Sequence, residues 1–190
     1  MCADMVELRD GYVVDLIYAP NWRSELSPAS VSVMLMMNGM EPLPTATPTC
    51  LELGFGHGLS LNVVAAANQG DFHGVDFIPA HADEARDIAS LSGAPLTVSA
   101  AAFAEFAAME GGEDFDLITL HGVWSWVDDA SRAAIANILK RRLKPGGAAM
   151  ISYNTPAGWK PLDPLRELFL LRLARTPRPR WLAASRWLTV

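Results

Sequence analysis

"CLELGFGHGLSLNVVAAA", residues 50–67, decides how the chain is read. An apolar run leads into three glycines at alternate positions, Gly54, Gly56 and Gly58, and an alanine-rich run leads out of them. Glycine reaches backbone angles closed to other residues and has no side chain to hold a ligand away. A helix beginning just after such a turn presents free N–H groups at its first turn. The dinucleotide fingerprint G-x-G-x-x-G does not fit. Counted from Gly54 or from Gly56, its last position falls on Leu59 or Leu61. A G-x-x-x-x-G-K-[ST] phosphate loop is missing as well. A nicotinamide oxidoreductase and a P-loop enzyme are thus opposed by spacing alone. The pattern present is E-x-G-x-G-x-G, opened by Glu52.

Outward from this stretch the chain alternates. Apolar segments at 49–54, 72–77, 95–100, 114–122 and 148–154 read as buried strands. Segments 58–68, 79–91, 101–109, 128–143 and 162–175 read as helices. Such alternation implies right-handed βαβ units and a parallel sheet covered on both faces. The expected fold is α/β: a doubly wound, Rossmann-like, mostly parallel sheet with helices on both faces. Upstream, "SPASVSVMLMMNG" (27–39) reads as a helix with Ser27 as N-cap, Pro28 in the first turn and Gly39 as the stop. The expected organisation is a lead-in over 1–48, the main domain over 49–175 and a basic tail over 176–190.

The chain has 190 residues, 51% of them apolar and 19% charged, which suits one globular domain. No apolar run approaches the roughly 18 residues of a membrane span, and the acidic start lacks the apolar core of a signal peptide. Cys2 and Cys50 have no metal-type spacing, nor do His73 and His81, so no metal and a reduced, cytoplasmic setting are expected. The net charge of −6 is unevenly spread: residues 1–139 carry 19 acidic and 4 basic side chains, and residues 140–190 carry 2 and 11. An acidic body argues against nucleic acid as substrate, since phosphate contacts need clustered Lys and Arg. The basic end is expected to lie against the acidic body of its own domain or of a sister chain, with contact to nucleic acid or an acidic partner as the alternative.

In doubly wound sheets the ligand sits beyond the carboxyl ends of the strands, at the switch point. Asp76 ends the second predicted strand, 22 positions after Gly54. A carboxylate there can accept from both hydroxyls of a ribose. Phe77 would border the ribose or the base; ordinary core packing is the alternative.

Glu52, Gly54, Gly56 and Gly58 resemble motif I of the class I S-adenosylmethionine (SAM) methyltransferases. "YAPNWRSELSP" (18–28), "GVDFIPAHADEAR" (74–86), "LHGVWSWV" (120–127) and "LKPGGAAMISYNTPAGW" (143–159) extend the likeness. Over roughly residues 10–170 the chain is similar to a bacterial family of SAM-dependent methyltransferases with a methyltransferase regulatory domain, some of whose members are protein-lysine methyltransferases. The resemblance implies SAM as cofactor and a protein or small-molecule methyl acceptor. Many methyltransferases hold the adenine amino group with an acid and a small residue beyond the third strand. Here "SAAAFAEF" has no acid before Glu105, which leaves backbone near Ala102 and the ring of Phe103. Members of the family usually continue into further domains, and class I enzymes close the sheet with a hairpin that this sequence does not clearly show. "RWLTV" offers one short strand at most. Two functions stay open on these grounds: an active methyltransferase, and a methyltransferase-like module that holds SAM or S-adenosylhomocysteine without turnover.

Methyl transfer asks the protein mainly to align an acceptor and exclude water, with a base where the acceptor is protonated. His121, at the end of the fourth strand, can line the cofactor's methionine end, act as that base, or serve as a structural hydrogen-bonding group. Trp124 and Trp126 can wall an acceptor pocket or pack as a lid on the helix at 128–143. Tyr153 and Asn154, at the end of the fifth strand, offer a hydroxyl and an amide near the expected acceptor; a turn cap before Pro156 is the alternative for Asn154. The helix at 162–175 is apolar beyond one face, with Leu165, Leu168, Phe169, Leu171 and Leu173, and Trp181 and Trp187 follow it. Two readings stay open: the helix packs on the sheet, or it seeks a partner and forms a homo-oligomer through this end.

Overall fold

The computed structural model describes residues 8–9, 12–13, 21–109 and 111–173. A two-residue antiparallel pair comes first, β1 (Leu8–Arg9) with β2 (Tyr12–Val13). A single 3-10 turn, Ser24–Leu26, precedes α1 (Pro28–Met37). The predicted cap forms: Ser27 Oγ accepts from the Ser30 N–H at 3.2 Å, and Pro28 opens the helix where its missing N–H costs nothing.

The main domain alternates as expected: β3 (Thr49–Leu53), α2 (Leu59–Ala67), β4 (Asp71–Asp76), α3 (Pro79–Ser92), β5 (Leu96–Ala100), α4 (Phe103–Ala108), β6 (Phe115–Leu120), α5 (Asp129–Arg142) and β7 (Leu143–Ile151). The five strands β3–β7 are parallel and ordered β5-β4-β3-β6-β7, so the order reverses between β3 and β6. That is the doubly wound, Rossmann-like sheet. Successive residues of β3 serve opposite faces. Cys50 packs with Val31, Leu61, Val64, Ala82 and Ala85 from α1, α2 and α3. Leu51 and Leu53 pack with Phe103, Ile135 and Ile138 from α4 and α5. Phe72, Phe103 and Phe115 are fully buried, and truncating any one to Ala would cost about 3–5 kcal/mol.

The last strand departs from the expected 148–154. It begins at Leu143, takes in the "KPGG" read as a turn, and ends at Ile151. β7 is an edge strand, where a proline does not break a ladder on both sides. Its pairing with β6 shifts register between Phe115 and Leu117, and Gly147 lies so close to β6 that a Cβ would sit 2.8 Å from the Asp116 carbonyl oxygen. Tyr153 and Asn154 consequently lie past the strand. After it come α6 (Pro156–Trp159), a 3-10 turn (Lys160–Leu162) and α7 (Asp163–Leu173).

Among the described residues no strand follows Ile151, and no helix is long and apolar enough to cross a membrane. Trp181, Trp187 and "RWLTV" lie outside the described residues. The basic end of α5 lies on its own domain. Arg141 and Arg142 donate to the carbonyls of Ala107 and Glu113, and Lys144 pairs with Asp116 at 2.9 Å.

Candidate functional site

The three glycines of the opening stretch have three different reasons to be there. A Cβ on Gly54 would sit 2.5 Å from Val123 Cγ2, so the loop after β6 could not close over the turn. A Cβ on Gly58 would sit 2.5 Å from the Ala85 Cβ, so α2 could not lie against α3. Gly56 has nothing within 4 Å of that position, yet its φ is +59°, a left-handed conformation that other residues adopt at a cost. It faces the open space of a cleft at the carboxyl ends of β3, β4 and β6. The turn therefore packs the loop and α3 closely on either side and offers bare backbone to a ligand in the middle.

Asp76 holds the turn in shape. Its Oδ2 accepts from the Gly56 N–H at 2.8 Å, while Oδ1 accepts from the Ile78 N–H at 2.9 Å and meets His81 Nδ1 at 3.1 Å. With one bond accepted at Oδ2, the carboxylate retains acceptor capacity, and Asp76 lines the cleft. His57 Nδ1 lies 2.5 Å from Glu84 Oε2, and the His57 and His81 rings are 4.9 Å apart. Glu52 is 6% exposed at the cleft floor, and no hydrogen bond from a described side chain reaches its carboxyl. Burial, with the Asp76 charge adding to it, pushes the Glu52 pKa up to about 7.

Two segments close the cleft. Upstream, residues 21–26 strap across the start of α2: Ser60 Oγ accepts from the Arg23 N–H at 2.9 Å and donates to the Asn21 carbonyl at 2.9 Å. This brings Asn21, Arg23 and Leu26 to the cleft. Downstream, the loop after β6 supplies His121, Gly122, Val123, Trp126 and Val127. His121 Nδ1 lies 3.0 Å from Ser152 Oγ, which also accepts from the Gly122 N–H at 2.8 Å. Burial first, and the Arg23 charge second, hold the His121 pKa below its usual value. At neutral pH the imidazole is therefore uncharged, and its lone pair can take a proton or accept a hydrogen bond.

Of the residues singled out from sequence, Glu52, Gly54, Gly56, Gly58, Asp76, Phe77, Phe103 and His121 all line this one cleft. Ala102 does not, and its N–H donates to Glu105 Oε2 at 2.9 Å. Trp124 packs against the apolar core with Phe103 and Ile135, and its carbonyl accepts from Arg132 Nε at 3.0 Å. Tyr153 is 60% exposed, and the Asn154 N–H donates to Ser125 Oγ at 2.9 Å. Trp124, Tyr153 and Asn154 are outside the cleft lining, whereas Trp126 is within it. Sequence reasoning passed over the strap. Its signal was the segment "YAPNWRSELSP", which carries no glycine turn or acidic pair to mark it, and only Ser60 ties it to the site. Among the described residues no group of His, Cys, Asp and Glu could hold a metal ion.

A parallel α/β sheet with its cleft at the switch point, floored by a glycine turn and an acidic strand end, defines a nucleoside-cofactor domain. The model of a family described as a methyltransferase domain matches residues 50–147, just over half of the chain. The chain belongs to this family, the class I SAM-dependent methyltransferases. It is 34% identical over 164 residues to the uncharacterized protein sll1526 of Synechocystis sp., covering 85% of this chain and 32% of that one. To the uncharacterized protein RP028 of Rickettsia prowazekii it is 30% identical over 155 residues, covering 80% and 61%. PKMT2 from Rickettsia typhi, solved in complex with AdoHcy, is similar in structure with a TM-score of 0.72 at 25% identity, covering 86% of this chain and 31% of PKMT2. The chain thus spans about a third of sll1526 and of PKMT2.

Proposed function

We propose that this domain binds SAM in the cleft and directs its methyl group to an amine, with a protein side chain as the acceptor. The observation that carries the cofactor half is the Gly56 N–H to Asp76 Oδ2 bond at 2.8 Å. It couples the open glycine of the turn to the carboxylate that would receive ribose hydroxyls. The residues fit such a ligand: bare backbone at Gly56, an acceptor at Asp76, and the rings of Phe77 and Phe103 along the cleft. Bound there, the cofactor supplies an electrophilic sulfonium methyl. His121 is the titratable group suited to relieve an acceptor ammonium of its proton, because burial and Arg23 favour its neutral form. Trp126 would flank the acceptor. The protein-amine acceptor draws on the likeness to PKMT2, whose name marks it as a protein-lysine methyltransferase.

Calorimetric titration with SAM, S-adenosylhomocysteine and NAD tests the first half, with binding of the first two and not the third expected. Failure to bind SAM at millimolar concentration would end this reading. Transfer of labelled methyl from SAM to lysate protein tests the second half. A second reading, a module that binds the cofactor without turnover, is favoured by the exposure of Tyr153 and by the packing of Trp124 against the core, outside the cleft lining. Binding without transfer would select it.

A further inference from the structure

Asp76 is too heavily engaged to take both hydroxyls of a ribose. An ionised carboxylate offers roughly four lone-pair positions to donors. At Asp76 three are filled: one on Oδ2 by the Gly56 N–H at 2.8 Å, and two on Oδ1 by the Ile78 N–H at 2.9 Å and His81 Nδ1 at 3.1 Å. One position is left, on Oδ2. A vicinal diol brings two O–H donors, so one of them needs another acceptor.

The neighbouring acceptor is His81, in the first turn of α3. It lines the same cleft, with its side chain 13% exposed. An ionised carboxylate can only accept, so the Nδ1 that meets Asp76 carries the hydrogen. In the neutral ring Nε2 is then the acceptor. Among the described residues no hydrogen bond or ion pair engages Nε2. The ring is also held in place: His57, which follows Gly56 in the turn, packs against it at 4.9 Å between centroids and is tied by its own Nδ1 to Glu84 Oε2 at 2.5 Å. This contact sets His81 against the glycine turn, where the cofactor reading above puts the sugar, and so argues for a hydroxyl as its partner over the amino group of the base. Resting on that reading, we infer that the ribose diol is split, one hydroxyl donating to Asp76 Oδ2 and the other to His81 Nε2. His81 thereby makes the cleft select ribonucleosides over deoxyribonucleosides.

The test titrates S-adenosylhomocysteine and its 2′-deoxy and 3′-deoxy analogues calorimetrically into the wild-type chain and into H81N. Asparagine keeps an amide N–H near the Nδ1 position for Asp76 and has no atom at the Nε2 position. Wild type should lose about tenfold in affinity for each analogue, the scale of one hydrogen bond. In H81N one analogue should bind within about twofold of S-adenosylhomocysteine, since the hydroxyl it lacks no longer has a partner, and the other should keep its loss of about tenfold. The ratios are taken within one variant, so a smaller folded fraction cancels. Any other pattern in H81N, or no loss for either analogue in wild type, overturns the assignment. Nitrogen NMR of the wild-type chain gives a reading that needs no variant to fold. His81 should show the Nδ1–H tautomer without ligand, and its Nε2 resonance should move upfield when S-adenosylhomocysteine binds. An Nε2–H tautomer, or an unmoved resonance in the bound protein, overturns the assignment alone. A wild-type chain that does not bind S-adenosylhomocysteine overturns the cofactor reading and this assignment with it.

Discussion

The two ends of the sheet each bury a carboxylate, and they treat it in opposite ways. At the amino end of β6, Asp116 is 4% exposed and engaged twice over: Oδ2 accepts from the Thr49 N–H at 2.8 Å and from Lys144 Nζ at 2.9 Å. Burial pushes its pKa up, but these partners outweigh burial and hold it below the usual value. At the carboxyl end of β3, Glu52 is equally buried, faces the cleft and the Asp76 charge, and titrates near 7. One carboxylate clamps β3, β6 and β7 together. The other is kept in an environment that a structural residue would not tolerate without return. Strongly shifted groups of the second kind collect at functional sites because a site keeps its groups unengaged until a ligand arrives.

The largest expected effect tests the cleft end. With its folded pKa raised from 4.5 to about 7, Glu52 keeps its proton in the native state after the unfolded chain has released it. Between those values the native state binds more protons, so stability falls as pH rises, by on the order of 3 kcal/mol in all, and levels off above 7. E52Q should remove this slope and be the more stable protein at about pH 8, as urea unfolding at about pH 5 and pH 8 would show. An unchanged slope in E52Q would take Glu52 out of the comparison. Asp116 runs the other way, contributing above about pH 4 and losing its contribution as pH falls below it. D116A strands the Thr49 N–H, while the half-exposed Lys144 rehydrates, for a loss of about 2–3 kcal/mol. Its affinity for S-adenosylhomocysteine, measured on the folded protein, should not change. A matching loss of affinity would mean the two ends are coupled.

This division also explains what could be read from the sequence. The cleft end was legible because its chemistry is local. Glu52, three spaced glycines and an acid at the end of the next strand lie within 25 residues, and the α/β rhythm puts them at one switch point. His121 follows from the same rhythm, since strand ends are where such sheets bind, and Phe103 follows from the family resemblance beyond the third strand. What stayed hidden depends on contacts between distant segments. Ala102 lost its free N–H to Glu105, which turns back on it as in a capping box. Tyr153 and Asn154 fall beyond the sheet because β7 ends at Ile151, paired with Leu120 at the end of β6, and no periodicity announces that end. Arg23 is brought in by a hydrogen bond to Ser60, 37 positions away; its segment carries the family likeness, but no local pattern marks Arg23 as a cleft residue. The Asp116 clamp was hidden for the same reason, as its partner Thr49 lies 67 positions away.

The smallest expected effects sharpen the comparison most, because they separate packing from binding inside one turn. G58A places a methyl 2.5 Å from the Ala85 Cβ in a left-handed backbone, so it should cost about 2 kcal/mol of stability, read from thermal or urea unfolding. G56A meets no atom within 4 Å and bears only the backbone cost at φ +59°, about 1 kcal/mol. If the turn were merely a folding device, affinity would follow stability and G58A would be the weaker binder. If Gly56 is the bare backbone over which the cofactor lies, the order reverses. G56A should remain well folded and yet lose about tenfold or more in affinity for S-adenosylhomocysteine, because its methyl projects into the space the ligand needs. Wild-type affinity in G56A would show that this open space is not where the ligand lies.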